Sequence, residues 1–188
     1  MAKVTNPKIR FTYEDYKSLP ESETKRCELL GGELIMVPPP SVYHQRIAKK
    51  LGFLLQGFVE ERGLGEVFFA PLDVVLGKGE KREVVQPDIF FVSRERREII
   101  AEEEVRGAPD LVIEITSPAT EERDRHYKKT LYARHGVREY WIVDPEARTV
   151  EVFALGEKGF QLVKAYKTGE TLRSTLLEGL EVDLKAVF

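Results

Sequence analysis

The chain has 188 residues, a length that suits one domain with a sizeable core. Its formal net charge of -3 excludes a global basic field for polyanions, so any nucleic-acid contact has to be local. The single cysteine, Cys27, excludes a disulfide framework and a multi-cysteine zinc site. The N-terminus lacks an apolar signal core and no long apolar stretch follows, which predicts a soluble, cytoplasmic protein without a membrane partner.

The first third of the chain predicts a short helix, a hairpin and a long helix. Residues 11–20 begin with a threonine suited to an N-cap and end at a proline, which is typical of a short helix. A Gly-Gly pair between the apolar runs CELL and ELIMV predicts a tight hairpin. An amphipathic helix is predicted from its cap at Ser41 to its stop at Gly63. We predict a single domain, 1–188, in which 1–40 form a helix and hairpin appended to the core.

The middle and the end of the chain alternate strand-like and helical segments. Two strand-like runs, EVFFAPLDVVLG and VVQPDIFFVS, precede a charged stretch from Arg94 to Arg106 that is a candidate helix. The strand PDLVIEITS is followed by the helix TEERDRHYKKTLYARHG, with Thr120 as N-cap and Gly136 as C-cap. The strand EYWIVDP and a final hairpin close the sheet. This order predicts an α/β or α+β fold with helices flanking a mixed sheet.

A carboxylate stands in the middle of the apolar strand PDLVIEITS. Alternation puts Asp110, Glu114 and Thr116 on one face of this strand, and both faces are mostly apolar. The strand should therefore lie inside a sheet, where an unpaired carboxylate is costly. Two interpretations of Glu114 follow: a structural ion pair with Lys or Arg, or a metal ligand or catalytic carboxylate.

The order of elements, with Asp on the second strand and Glu on the third, resembles the core of the PD-(D/E)xK nuclease superfamily. More closely, the blocks ELLGGELIMVPPPSVYHQ, QPDIFFVS, PDLVIEITSPATEERDRHYKK, LYARHGVREYWIVDP and TVEVF resemble the Uma2 family (DUF820) of restriction endonuclease-like proteins, over most of residues 27–153. The resemblance implies a restriction-endonuclease-like mixed β-sheet flanked by helices. It also implies a DNA endonuclease that uses Mg²⁺ or Mn²⁺ and acts as a homodimer or higher homo-oligomer.

Two Pro-Asp pairs compete for the first metal carboxylate of such a site. Divalent-metal hydrolysis of a phosphodiester needs carboxylates a few Å apart and a cation that stabilises charge. Asp110 lies four residues before Glu114 on the same strand, roughly 13 Å away at about 3.3 Å per residue. Asp88 belongs to the preceding strand segment, and a neighbouring strand is only about 4.8 Å away. We therefore assign Asp88 and Glu114 as the metal carboxylates.

The third catalytic residue departs from the superfamily pattern. That pattern has a lysine two residues after Glu114, where this chain has Thr116. The resemblance to Uma2 implies that the lysine comes from the following helix, where DRHYKK offers Lys128 and Lys129. The spacing from Asp124 to Lys128 matches the D-x-x-x-K pattern of the family, so Lys128 is assigned as the catalytic lysine. The alternative is that both lysines belong to a solvated helix surface.

Further residues are weaker candidates for the same site. Either Glu28 or Glu33 could join the metal, or both could be surface charges of the hairpin. His44, in the first turn of the predicted long helix, could carry a proton or contact phosphate, or it could be structural. The additional site candidates are Glu28, Glu33, His44, Thr116 and Tyr132, and the candidates for nucleic-acid contact are Arg123, Arg125 and Lys129.

Two other functions compete with the nuclease hypothesis. One is a nucleic-acid-binding or regulatory module that has kept the fold and lost the chemistry. The other is a hydrolase that acts on a different phosphate ester through the same site. The nuclease hypothesis requires Asp88, Glu114 and Lys128 to meet around one ion.

Overall fold

The computed structural model of the chain describes residues 9–20 and 26–188, which form two large β-sheets, a separate two-stranded sheet and several helices. The α-helices are α1 Tyr13–Lys17, α2 Val42–Arg62, α3 Lys129–His135 and α4 Leu184–Val187. In chain order the strands are β1 Arg26–Leu30, β2 Glu33–Val37, β3 Gly65–Phe69, β4 Asp73–Leu76, β5 Glu83–Val85, β6 Ile89–Ser93, β7 Glu104–Arg106, β8 Leu111–Ile115, β9 Glu139–Asp144, β10 Thr149–Gly156, β11 Gly159–Lys167, β12 Thr171–Arg173 and β13 Glu181–Asp183. No helix among the described residues has the length and apolar character needed to cross a membrane.

The central sheet has six strands in the order β11-β10-β9-β8-β6-β3. β8 and β9 pair in parallel, whereas the other pairs are antiparallel. A second sheet has five strands in the order β2-β1-β5-β4-β7, and β12 pairs with β13 separately. The predicted mixed sheet flanked by helices is therefore confirmed.

The local signals in the first third of the chain specify the elements that form there. Thr12 caps α1, and the Ser41 hydroxyl accepts the amide of His44 at the start of α2. Gly63, with φ of 58°, ends α2 in the left-handed region that favours glycine. The N-terminal hairpin joins the second sheet through the pairing of β1 with β5.

Of the predicted N-terminal unit, residues 1–8 and 21–25 lie outside the described residues. The assignment of a single domain to residues 1–188 stays a prediction.

Each of the two strand-like runs that precede the charged stretch is divided between the two sheets. EVFFAPLDVVLG forms β3 in the central sheet and then β4 in the second sheet. VVQPDIFFVS forms β5 in the second sheet and then β6 in the central sheet. Pro71 and Pro87 stand at the divisions, where a residue without an N–H cannot continue a ladder. The charged stretch forms a 3₁₀ segment, Arg94–Ile99, and then strand β7, so the candidate helix is only partly present.

The central sheet separates two apolar clusters. Ile89 and Ile113 point toward α2 and α4, and Phe90 and Val112 point toward α3 and the second sheet. Because side chains alternate along a strand, even-numbered residues of β6 and β8 face the second sheet. The space between the two sheets is therefore where the side chains of Asp88 and Glu114 belong.

Candidate functional site

A cavity of about 490 Å³ opens between the two sheets and the start of α2. It is lined by the prolines that follow β2, by the loop after β8 and by charged groups from four parts of the chain. The charged and polar side chains of the lining include Glu28, His44, Asp88, Glu114, Thr116, Arg123, Asp124 and Lys128. The structure thus brings the three assigned catalytic residues to one cavity.

Asp88 and Glu114 face each other across neighbouring strands. In the antiparallel pair of β6 and β8, Ile89 is opposite Ile113, so the next step of the register sets Asp88 opposite Glu114. The amide of Ile115 donates to Asp88 Oδ2 over 2.9 Å, which holds this carboxylate against β8. Directly opposed side chains have Cβ atoms about 5 Å apart. Both carboxylates line the same cavity from these neighbouring strands.

Lys128 comes to the same point from the opposite side of the cavity. Its side chain is 4% exposed, and Nζ lies 3.0 Å from Glu114 Oε1 and 2.8 Å from Glu28 Oε1. Asp124 Oδ1 lies 3.6 Å from the same nitrogen. A buried ammonium needs this kind of compensation, because desolvation of an unpaired charge is expensive. Lys128 is therefore not on a solvated helix surface.

A π-helical turn, Arg123–Lys128, precedes α3 and carries this lysine. Such turns are rare and occur frequently at functional sites. The turn buries both Asp124 and Lys128, while the next turn brings the Tyr132 hydroxyl to within 2.6 Å of Glu114 Oε1, to which it donates. Glu114 Oε1 thus accepts hydrogen bonds from a cation and a phenol.

Of the two early acidic candidates, Glu28 reaches the cavity. Glu28 is fully buried on β1, and its Oε1 also accepts the amide of Gln86 over 3.0 Å. Glu33 is exposed on β2 and lies outside the cavity lining. Side chains alternate along β1, so Glu28 lies on the same face as Leu30, which packs in the apolar cluster between the sheets. This is why Glu28 is buried and Glu33 is not.

His44 enters the site from the first turn of α2. Its Nε2 lies 3.2 Å from Asp88 Oδ2, and its Nδ1 is buried without a hydrogen-bond partner among the described residues. Because Asp88 is already bonded to the Ile115 amide, the imidazole adds a second contact that orients the carboxylate. The contact makes His44 part of the site rather than only a helix-start residue.

Burial and charge crowding shift the protonation of this cluster. Burial raises the pKa of Glu114 to about 8, with Lys128 opposing and Asp124, Asp88 and Glu28 adding to the rise. Burial also raises the pKa of Asp124. Burial alone would lower the pKa of Lys128, but Glu114, Glu28 and Asp124 together raise it above its ordinary value. The lysine therefore stays charged while one neighbouring carboxyl keeps a proton near neutral pH.

The oxygen donors of the cavity fit a hydrated Mg²⁺ ion. Among the described residues, no three Asp, Glu, His or Cys side chains form a ready metal cluster. Mg²⁺ commonly binds through one or two carboxylates and keeps several waters, and Asp88 and Glu114 are two carboxylates of this kind in one cavity. Glu28 Oε2 and Asp124 Oδ1 are buried nearby without hydrogen bonds, which leaves acceptors for water bound to such an ion.

Three other candidates have different surroundings. Thr116 lines the cavity, but its hydroxyl donates to the Val143 carbonyl over 3.1 Å. Arg125 forms an ion pair with Glu151, and Lys129 stacks on the Phe153 ring at 3.7 Å. Both basic side chains lie outside the cavity lining.

The third basic candidate, Arg123, lines the cavity, and its Nε lies 3.7 Å from Glu28 Oε2. Asp110, which competed with Asp88, is fully buried, accepts hydrogen bonds from the Ser93 amide and Arg96, and forms an ion pair with Arg138. Its role is structural.

Asp124 was not proposed as a site residue from the sequence. Its 2% exposure and its contact with Lys128 make it part of the charged cluster. The sequence contained a signal for Asp124, because it lies four residues before Lys128 and residues four apart share a helix face. A carboxylate on the same face as a buried lysine is an expected partner.

The model of the Uma2 family, described as "Putative restriction endonuclease", matches residues 13–185 of the chain. A solved structure described as "a putative nuclease belonging to DUF820" from Anabaena variabilis ATCC 29413 is similar to the chain at 22% identity. The similarity covers 95% of this chain and 97% of that chain, with a TM-score of 0.78. None of the curated proteins compared with the chain matches it. The chain belongs to the Uma2 family.

Proposed function

We propose that the protein is a Mg²⁺-dependent DNA endonuclease that hydrolyses phosphodiester bonds in the cavity between the two sheets. The observation that carries the proposal is the position of the buried Lys128 ammonium beside Glu114, with Asp88 facing Glu114 from the adjacent strand. Two carboxylates and a fixed cation are the groups that metal-assisted phosphodiester hydrolysis requires. The family description supports a nuclease, and the oxygen donors support Mg²⁺ or Mn²⁺.

Asp88 and Glu114 would hold the ion, which when bound would neutralise phosphate charge and make an attacking water more acidic. Glu28 and Glu114 occupy two of the N–H donors of Lys128, and an ammonium has three. The remaining donor can bind a non-bridging phosphate oxygen, where negative charge grows in the transition state. The raised pKa of Lys128 keeps it cationic, so it stabilises charge and does not act as a base.

His44 and Arg123 have supporting roles in this proposal. The imidazole of His44 contacts Asp88 and would orient this carboxylate in the cavity. Arg123 is half-buried at the cavity and can contact a second phosphate of the DNA backbone. The Arg123 guanidinium supplies a local attraction for DNA that the acidic net charge does not supply.

The test is cleavage of supercoiled plasmid by the purified protein with Mg²⁺ or Mn²⁺ at low salt, compared with Asp88→Asn. Nicked or linear product from the wild type and none from the variant supports the proposal. A wild type that cleaves no DNA with either ion would overturn it. Cleavage of a small phosphodiester but not of DNA would point instead to a hydrolase for another phosphate ester.

A second function, a nucleic-acid-binding module without catalysis, is favoured by one observation. The Lys128 ammonium already has three carboxyl groups around it, so its charge is compensated without a metal ion. This alternative predicts that DNA binding, measured by fluorescence anisotropy, is the same with and without Mg²⁺. It also predicts no cleavage under either condition.

A further inference from the structure

Two tyrosines, Tyr132 of α3 and Tyr140 of β9, lie fully buried next to the charged cluster. Their rings are in contact, with centroids 5.2 Å apart. Burial of a tyrosine costs free energy unless its hydroxyl has a hydrogen-bond partner, so the partner shows what the hydroxyl does in the fold. Both hydroxyls have partners that belong to the site, and the two partners are different.

The Tyr132 hydroxyl acts on the carboxyl group of Glu114. It donates to Glu114 Oε1 over 2.6 Å, and the same oxygen accepts Lys128 Nζ over 3.0 Å. Two donors on one oxygen restrict rotation about the terminal torsion of the side chain, which is otherwise broad. Glu114 therefore has a fixed orientation, in which Oε2 is the oxygen left for a metal ion.

The Tyr140 hydroxyl acts on the main chain of the π-helical turn. It donates to the Asp124 carbonyl over 3.1 Å, within the turn that carries Lys128. A π turn departs from the regular hydrogen-bond ladder of an α-helix, and a buried carbonyl needs a donor. Tyr140 can reach this carbonyl because it lies opposite Val112 in the pairing of β9 with β8, on the face of the sheet that carries Glu114. The bond therefore ties the turn to the central sheet.

The surroundings hold both rings in place and keep both hydroxyls protonated. The Tyr140 ring lies among those of Phe153 and Phe160, at centroid distances of 6.4 Å and 5.6 Å. Burial, with the charge of Glu114 adding to it, raises the pKa of both Tyr132 and Tyr140. A rigid ring with a permanent O–H is suited to fixing another group and unsuited to transferring a proton.

We propose that Tyr132 and Tyr140 are positioning residues of the site, a role that rests on the proposed nuclease function. Tyr132 orients the Glu114 carboxylate for the metal ion, and Tyr140 holds the π-helical turn so that Lys128 lies at the cavity. Neither tyrosine lines the cavity, so neither touches the phosphate. Outer partners of metal ligands typically contribute about tenfold to a hundredfold in metal affinity or activity.

Tyr132→Phe and Tyr140→Phe test the two roles separately, because each keeps its ring and loses one hydroxyl. Tyr132→Phe is expected to weaken Mn²⁺ binding by about tenfold in isothermal titration, with amide hydrogen exchange of residues 123–128 unchanged. Tyr140→Phe is expected to keep the Mn²⁺ affinity, to raise exchange of residues 123–128 by about fivefold, and to slow single-turnover plasmid cleavage at saturating Mg²⁺ by about tenfold. Tyr166→Phe, at a buried tyrosine outside the cavity lining, is the matched control and should change none of these.

The exchange measurement separates positioning from a general loss of structure. If Tyr140→Phe raises exchange throughout β8 and β9 as well as in the turn, its hydroxyl supports the whole core and the positioning role is overturned. Wild-type exchange of the turn, or wild-type cleavage, in Tyr140→Phe also overturns the role of Tyr140.

The titration decides the role of Tyr132. Wild-type Mn²⁺ affinity in Tyr132→Phe overturns that role, and so does a wild type that binds no Mn²⁺. A wild type that binds Mn²⁺ but cleaves no DNA overturns the proposed function instead, since the titration and the exchange measurement still decide the roles of the two tyrosines without cleavage.

Discussion

The ammonium of Lys128 lies 3.0 Å from Glu114 Oε1, although the two residues belong to a helical turn and a strand separated by a loop. Thr116, two residues after Glu114, has a hydroxyl committed to the Val143 carbonyl and cannot supply a cation. The cation beside Glu114 is therefore supplied by the π-helical turn and not by the strand that carries Glu114. The carboxylate and the cation still lie side by side, as the proposed chemistry requires.

Lys128→Met is expected to reduce DNA cleavage by about a hundredfold, on the order of 3 kcal/mol of lost transition-state stabilisation. The physical reason is the loss of the fixed charge near the phosphate. Affinity for Mg²⁺ should not fall, because the carboxylates keep their oxygens. Plasmid nicking under single-turnover conditions measures the rate, and Lys129→Met is the matched control because Lys129 lies on Phe153 outside the cavity. Equal rates for the two variants would contradict the role of Lys128.

Asp88→Asn is expected to lower the affinity for Mn²⁺ and Mg²⁺ by more than about tenfold, because one of two anionic ligands becomes neutral. Isothermal titration of the purified protein measures this affinity. The control is Asp110→Asn, the other Pro-Asp pair, which should bind metal normally but unfold at lower temperature, since Asp110 is bonded to Ser93 and Arg96. Unchanged metal binding in Asp88→Asn would remove Asp88 from the site.

The stability of the metal-free protein is expected to fall as pH rises from about 4.5 to about 8. The pKa of Glu114 is raised from 4.5 to about 8 by burial, so the folded state keeps a proton that the unfolded chain has lost over this range. Stability is fully present below the unfolded pKa and is lost as pH approaches the folded pKa, by on the order of a few kcal/mol. Urea denaturation at several pH values measures this slope. Glu114→Gln should make the slope shallower, and an unchanged slope would refute the assignment.

Metal binding is expected to release close to one proton at pH 7. Glu114 is mostly protonated there in the absence of metal, and a carboxyl group must lose its proton to bind an ion. Calorimetry in two buffers of different ionisation enthalpy measures the number of protons. The release should approach zero above pH 9, where Glu114 is already ionised. A release that is the same at pH 7 and pH 9 would show that another group supplies the proton.

The sequence by itself determined the features that depend on neighbours along the chain. Ser41 and Gly63 predict the limits of α2, and the i,i+4 relation of Asp124 and Lys128 predicts a shared helix face. The carboxylate of Glu114 within an apolar strand predicts a buried group that needs partners. These signals are local, because capping, turn formation and helix periodicity involve only a few residues on either side.

Only the tertiary structure decided which distant groups meet. The antiparallel register of β6 and β8 brings Asp88 opposite Glu114, and a slip of one residue would turn it to the other face. The division of two strand-like runs between two sheets creates the space into which Glu28, and not Glu33, points. Lys128 becomes buried because that space closes around it. Register and sheet packing depend on contacts between residues far apart in the chain, and the spacing of residues in one sequence does not contain them.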